Sequence, residues 1–343
     1  MINRRTFNAA MGLSTGAAAA SLAGLQGVSS AAPALSTTGG AHTSFPSLKQ
    51  VKAGLLDVGY AELGPAHGPM VICLHGWPYD IHSYVDVAPL LAAEGYRVIV
   101  PYLRGHGTTR FLSSRPFRNG QQSAIALDII ALMDALKIHK AVIAGFDWGS
   151  RTGDILAALW PERVKALVSV SGYLITDRKA QLEPLAAAAE LTWWYQFYFA
   201  TERGKKAMED HDHRLQLTRL VWDLVSPTWN FDDATFARTA GAFDNPDYAA
   251  VVIHNYRWRL SVAEGEPRYD RYEEKLATAP PITVPTITLD PETDPFTLPG
   301  NGSMYRDKFT GKYEHRTLTG IGHNLPQEAP TAFAQAVVDA DRL

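Results

Sequence analysis

Short apolar runs alternate with stretches of helical periodicity along most of the chain. Residues 70–74, 97–100, 141–144 and 164–171 read as strands, and 84–94, 123–136 and 151–160 between them read as helices. That alternation predicts an α/β fold: a doubly wound, mostly parallel sheet with helices on both faces. Residues 51–58 and 59–63 are expected as an antiparallel hairpin at one edge. The rhythm changes at Tyr173. From 173 to 281 the strand pattern is absent, and helical stretches carry many aromatics, among them Trp193, Trp194, Tyr195, Tyr198, Trp222, Trp229, Tyr256 and Trp258. Strands return at 286–289 and 313–318, and a last helix starts near Thr331. The economical division is a core in two parts, 50–172 and 282–343, separated by a helical cap at 173–281.

The N-terminus is a different kind of sequence. Asn3-Arg4-Arg5-Thr6-Phe7 precedes a mildly apolar run rich in Ala, Gly, Ser and Leu, and Ala32-Pro33-Ala34 offers a small-x-small cleavage site. Residues 1–34 resemble a bacterial twin-arginine signal peptide. The resemblance implies the twin-arginine export machinery as a partner, cleavage rather than a stable membrane anchor, and a periplasmic or secreted mature protein. The many Gly and Ser residues argue against a lasting transmembrane helix. Residues 35–49 read as a linker.

Composition narrows the classes. The 343 residues, 46% of them hydrophobic, suffice for a large domain with an insertion. A formal net charge of -3, with no basic block interleaved with aromatics, argues against nucleic acid as a partner. The single cysteine, Cys73, lies in an apolar run; it excludes an internal disulfide and reads as a buried, inert thiol. No metal site or cofactor is expected.

The chemistry gathers around Gly145-Phe146-Asp147-Trp148-Gly149, where a strand turns into a helix. Glycines at this spacing let one side chain stand out above a sheet edge. Capping of the following helix is the plainer role for an aspartate there. His75-Gly76-Trp77-Pro78 follows the strand at 70–74. Asp290, Glu292 and Asp294 share one loop after the strand at 286–289, and His323 stands between the glycine-rich Gly320-Ile321-Gly322 and Asn324. Tyr102-Leu103-Arg104-Gly105-His106-Gly107 reads as a structural loop.

Taken together, these motifs resemble the α/β-hydrolase superfamily, in the epoxide hydrolase and haloalkane dehalogenase branch whose elbow carries Asp. The resemblance implies Asp147 as nucleophile, His323 as base, and Asp294 as its acid with Asp290 as second choice. It also implies an oxyanion hole from the backbone N–H groups of Trp77 and Trp148. A carboxylate is already anionic at neutral pH, so it can attack a saturated carbon and form an alkyl ester that a histidine-activated water then hydrolyses. Trp194-Tyr195-Gln196-Phe197-Tyr198-Phe199 and Tyr256-Arg257 resemble the cap tyrosines of soluble epoxide hydrolases. They imply that Tyr195 and Tyr256 protonate an epoxide oxygen, with Phe146, Trp148 and Trp194 lining a pocket for a small apolar substrate.

Other readings stand beside this one. In haloalkane dehalogenases a Trp after the Asp donates to halide, and Trp148 fits, with Trp77, Trp193 or Trp194 as loose second donors. Fluoroacetate dehalogenases carry two arginines to hold a haloacid carboxylate; Arg151 matches the second, while Trp148 occupies the position of the first, and Arg151 would otherwise ion-pair within the fold. A non-catalytic ligand-binding member of the fold is the alternative from another class.

Overall fold

The computed structural model describes residues 43–296 and 301–343. The expected signal and most of the expected linker lie outside the described residues. The first strand, β1 (Leu48–Ala53), takes up the end of the linker span and pairs antiparallel with β2 (Leu56–Leu63). The hairpin turns at Gly54-Leu55, not between residues 58 and 59. Gly54 supplies the positive φ, +56°, that a two-residue turn needs. Gly59, which gave the impression of a turn, sits mid-strand because Thr108 crowds it: a Cβ there would lie 1.9 Å from the Thr108 hydroxyl oxygen.

The sheet continues with β3 (Met70–Leu74), β4 (Arg97–Pro101), β6 (Ala141–Gly145), β7 (Val164–Val170), β8 (Thr286–Pro291) and β9 (Tyr313–Leu318), in the order β1-β2-β4-β3-β6-β7-β8-β9. A short β5 (Arg110–Phe111) pairs with β2. From β4 to β9 every neighbouring pair is parallel. Helices α1 (Val87–Ala93), α2 (Gln122–Ala135), α3 (Trp148–Leu159) and the final pair α11 (Leu325–Glu328) and α12 (Pro330–Arg342) accompany it. The central strands are apolar because both faces are covered: Val71 to Leu74 and all of β6 are buried. Cys73 belongs to this core, where burial pushes its thiol far up and leaves it unreactive.

Between β7 and β8 the chain departs into seven helices, α4 (Ala187–Thr192), α5 (Trp194–Ala200), α6 (Glu202–Glu209), α7 (His211–Val225), α8 (Asp233–Ala240), α9 (Tyr248–Arg259) and α10 (Asp270–Leu276). The segment that leads into them is stitched to the core. Asp154 on α3 accepts from Leu174 N–H at 2.7 Å, Arg151 donates to Leu174 C=O at 2.9 Å, and Gln122 on α2 both donates to and accepts from Thr176.

The Arg104 loop plays the structural role expected of it. The buried guanidinium reaches both Asp128 oxygens at 2.6 and 2.7 Å and two backbone carbonyls besides. Every cation donor thus directed satisfies a group that burial would otherwise leave unpaired.

Candidate active site

All of the elbow, the His75 loop, the acid loop and the His323 loop follow the C-terminal ends of parallel strands, the edge where open α/β sheets place their sites. At the elbow the crowding is extreme. A Cβ on Gly145 would lie 2.4 Å from the Gly149 carbonyl carbon, and one on Gly149 would lie 1.8 Å from Leu74 O. Only glycine lets α3 start this close to β3. The helix accordingly begins at Trp148, three residues earlier than its periodicity predicts. The turn forces Asp147 to φ +51° and ψ -119°, a strained conformation held by its surroundings. Its side chain makes no cap bond to the helix, which removes the capping role as the reason for an aspartate.

The carboxylate meets two partners instead. The Trp77 backbone N–H donates to Asp147 Oδ1 at 2.7 Å, across a gap that Gly76 keeps open. Oδ2 lies 3.8 Å from His323 Nε2, and the other ring nitrogen, Nδ1, is 2.7 Å from Asp294 Oδ2. Asp290 is not brought to His323. It accepts from Tyr305 O–H at 2.7 Å and lies 3.8 Å from His315. The Trp148 N–H opens α3, where first-turn donors have no intrahelical acceptor.

Burial opposes a charge on the His323 imidazole, but Asp294 and then Asp147 more than offset it and bring its pKa up to about 9. A pKa raised on folding adds stability below the unfolded value, near 6.5, and that contribution is lost as pH climbs through about 9. A nitrogen-detected titration of the imidazole is therefore expected to show a midpoint near 9, and a clearly lower one in Asp294→Asn. A wild-type midpoint near the ordinary histidine value would contradict this electrostatic arrangement.

Above Asp147 the inserted helices contribute Tyr195 from α5 and Tyr256 from α9. Their rings stand edge to face at 5.4 Å, and both pack on Trp77, at 5.1 and 5.2 Å. Burial first and then the Asp147 charge raise the Tyr195 hydroxyl, and burial, Tyr195 and then Asp147 raise that of Tyr256, so both are protonated donors in the field of the carboxylate. Phe146 is buried between Tyr79 at 5.1 Å and His323 at 6.0 Å. Trp148 is buried 5.9 Å from the Tyr256 ring, and its indole Nε1 has no hydrogen-bond partner among the described residues.

Trp194, expected in the pocket lining, has Tyr195 and Tyr198 as ring neighbours. Phe296 was not anticipated; its ring lies 5.2 Å from His323 at 88° and 5.9 Å from Tyr195. Tyr79 was missed too. It stacks on Trp222 at 4.8 Å and lies 5.8 Å from His323. Glu328 holds the histidine loop from below, accepting from Gly322 N–H at 2.7 Å, Ser226 O–H at 2.6 Å and Asn324 N–H at 3.2 Å. Arg151 forms no ion pair within 4 Å among the described residues; its side chain donates from Nε to Leu174 C=O at 2.9 Å.

Comparison with known proteins places this geometry. A model of the alpha/beta hydrolase fold matches residues 69–328. Epoxide hydrolase B of Mycobacterium tuberculosis is 29% identical over 168 residues, a match spanning 45% of this chain and 46% of that protein, so the chain spans about half the length of that relative. Epoxide hydrolase A of the same organism is 25% identical over 320 residues, 86% of this chain and 97% of that one. A Klebsiella pneumoniae crystal structure, provisionally assigned as an epoxide hydrolase, superposes with a TM-score of 0.85 at 59% identity, covering 87% of this chain and 98% of its own. The chain belongs to the alpha/beta hydrolase fold family, as an epoxide hydrolase-like enzyme.

Proposed function

We propose that the protein hydrolyses epoxides to vicinal diols through an alkyl ester on Asp147. The observation that carries this reading is the placing of two protonated phenols in the field of a carboxylate that His323 and Asp294 back in line. Asp147 Oδ1 rests on the Trp77 N–H, which leaves Oδ2 to attack an oxirane carbon. The carbon–oxygen bond of the ring breaks, and Tyr195 or Tyr256 delivers its proton to the departing oxygen. With Asp147 esterified, one of the three carboxylate charges that raise the His323 pKa is gone, and Asp294 and Glu328 remain. The imidazole then releases its proton to solvent and can take one from the attacking water. The resulting hydroxide adds to the Asp147 carboxyl carbon, and the Trp77 and Trp148 N–H groups hold the oxyanion. Collapse expels the diol with a proton from His323, and the new Asp147 carboxyl returns its proton, through water, to the tyrosinate.

Replacing both tyrosines tests the first half. Tyr195→Phe and Tyr256→Phe are each expected to reduce turnover of styrene oxide, and the double variant by roughly 10²- to 10⁴-fold, the scale of general acid catalysis. Full activity in the double variant would move the reading to carbon–halogen cleavage. One observation supports that second reading: the buried Trp148 Nε1 has no hydrogen-bond partner among the described residues, which leaves it as a donor for a halide. Chloride release from short haloalkanes by wild type would support it, and epoxide turnover without halide release would dismiss it. We further propose that residues 173–281 act as the cap over this site. We also propose that residues 1–34 direct export through the twin-arginine pathway to the periplasm or beyond, the basis being Arg4-Arg5 and the run that follows.

A further inference from the structure

We propose that Arg259 is a positioning residue for the first step, its cation steadying the tyrosinate that Tyr256 becomes on giving its proton to the epoxide oxygen. This rests on the epoxide reading above and names Tyr256 as the phenol that takes up the charge. Arg259 follows Tyr256 by three residues on α9, which puts the two side chains on one face of the helix. Its guanidinium carbon lies 5.7 Å from the centre of the Tyr256 ring, inside the range over which an aromatic face attracts a cation. The side chain is half-buried, and its Nε is buried with no hydrogen-bond partner among the described residues. No ion pair within 4 Å among those residues occupies it either. Arg257, two residues earlier, shows how a structural arginine behaves on the same helix. It donates to the carbonyls of Phe199 and Thr201 and to the Glu202 carboxylate, each at 3.0 Å, and so ties α9 to α5 and α6. Arg259 ties α9 to nothing of that kind.

The chemistry gives that cation a task. Before the attack the negative charge sits on Asp147. As Oδ2 bonds to carbon and the ring carbon–oxygen bond breaks, the Tyr256 proton passes to the freed oxygen, and the charge reappears on the phenol, spread over its ring. The charge thus passes from the elbow to the ring that Arg259 covers. An attraction that grows only as the step proceeds lowers its barrier, whereas one present from the start does not. The groups facing the Tyr256 phenol are Tyr195 from α5, Asp147 at the elbow, Trp148 and Arg151 from α3, and Arg259 on its own helix. Burial, Tyr195 and Asp147 oppose its ionisation, and Arg259 and the Trp148 indole favour it. The Asp147 opposition vanishes with the ester, so the cation is left with the tyrosinate as its counter-charge. Tyr195 also feels the Arg259 charge, but the ring over which the guanidinium stands is that of Tyr256.

The test follows single-turnover alkylation of the full-length protein by acid quench and intact mass, with 1,2-epoxypropane and its 3,3,3-trifluoro analogue. The fluorines make the departing alkoxide a weaker base, which asks less of the proton donor. Arg259→Gln is expected to slow alkylation by 1,2-epoxypropane about 10- to 30-fold, the scale of a desolvated cation over an aromatic ring, and alkylation by the analogue distinctly less. Arg259→Lys is expected to recover part of the loss. A second readout needs no epoxide. With a fluorinated tyrosine placed at 256, fluorine NMR is expected to show the phenol midpoint rising by about one pH unit in Arg259→Gln and returning part of the way in Arg259→Lys. Should Arg259→Gln fail to fold, Arg259→Met, which keeps the apolar stem, carries the same expectations. An unmoved midpoint overturns the proposal, as does equal slowing with both epoxides, the mark of loosened packing. Alkylation of wild type with an unmoved midpoint brings down this proposal alone. No alkylation of wild type by either epoxide brings down the epoxide reading, and this step with it, wherever the midpoint lies.

Discussion

His323→Gln is expected to halt the reaction midway, with the substrate left on the enzyme. In the proposed route the attack by Asp147 needs no base, because a carboxylate is an anionic nucleophile at neutral pH. Only the second step needs a group that can take a proton from water, and His323 Nε2 is the ring nitrogen that faces Asp147, at 3.8 Å, while Nδ1 is committed to Asp294. Glutamine keeps the bulk and loses the base. Steady-state turnover is expected to fall by roughly 10²- to 10⁴-fold. The distinguishing readout is mass. Intact-protein spectrometry after mixing with styrene oxide is expected to show an adduct of the epoxide's full mass, and peptide mapping to place it on Asp147. A variant that loses turnover with no adduct would mean that histidine acts before or during the attack, as in a serine-type mechanism.

Asp147→Asn is expected to have the larger effect. The amide oxygen can still accept from the Trp77 N–H, and asparagine tolerates the φ of +51° better than most residues, so the fold should persist. What disappears is the anionic nucleophile, and turnover is expected to drop by about 10⁴-fold or more. Melting temperature and circular dichroism close to wild type would show that the loss is chemical. The complementary measurement uses wild type in heavy-oxygen water for a single turnover. The ester route puts the label into the Asp147 carboxylate first, and direct attack of water on the epoxide puts it into the diol. Label in the diol alone, or substantial turnover by Asp147→Asn, would remove the covalent mechanism.

How much of this could be read from the chain depended on whether each signal was local. Val71 to Leu74 and the β6 run announce strands because both faces are covered, so apolar side chains need no alternation. Asp147 and His323 are legible because glycines at fixed offsets relieve local crowding: Gly145 and Gly149 around one, Gly322 against Ser226 beside the other. Asp294 and Asp290 are four residues apart in one acidic stretch, and composition does not separate them. Asp290 still belongs to β8, which commits its side chain to Tyr305, whereas Asp294 has left the strand and turned towards His323. Phe296, Tyr79 and Glu328 acquire their places through contacts made late in the chain or across the inserted helices, and no motif marks them. The hairpin was misplaced because a glycine crowded from another loop looks, in sequence, like a glycine that turns.

The elbow has one consequence for how such enzymes diverge. Its shape is dictated by Gly145, Gly149 and the neighbouring Leu74 carbonyl, and the side chain at 147 makes no cap bond to the helix that follows. The strain therefore belongs to the position and not to its occupant. A serine or an aspartate inherits the same backbone, the same donor at Trp77 and the same imidazole. In the proposed mechanism, one exchange at 147 would therefore swap acyl for alkyl targets while the glycine-built socket around it keeps its shape.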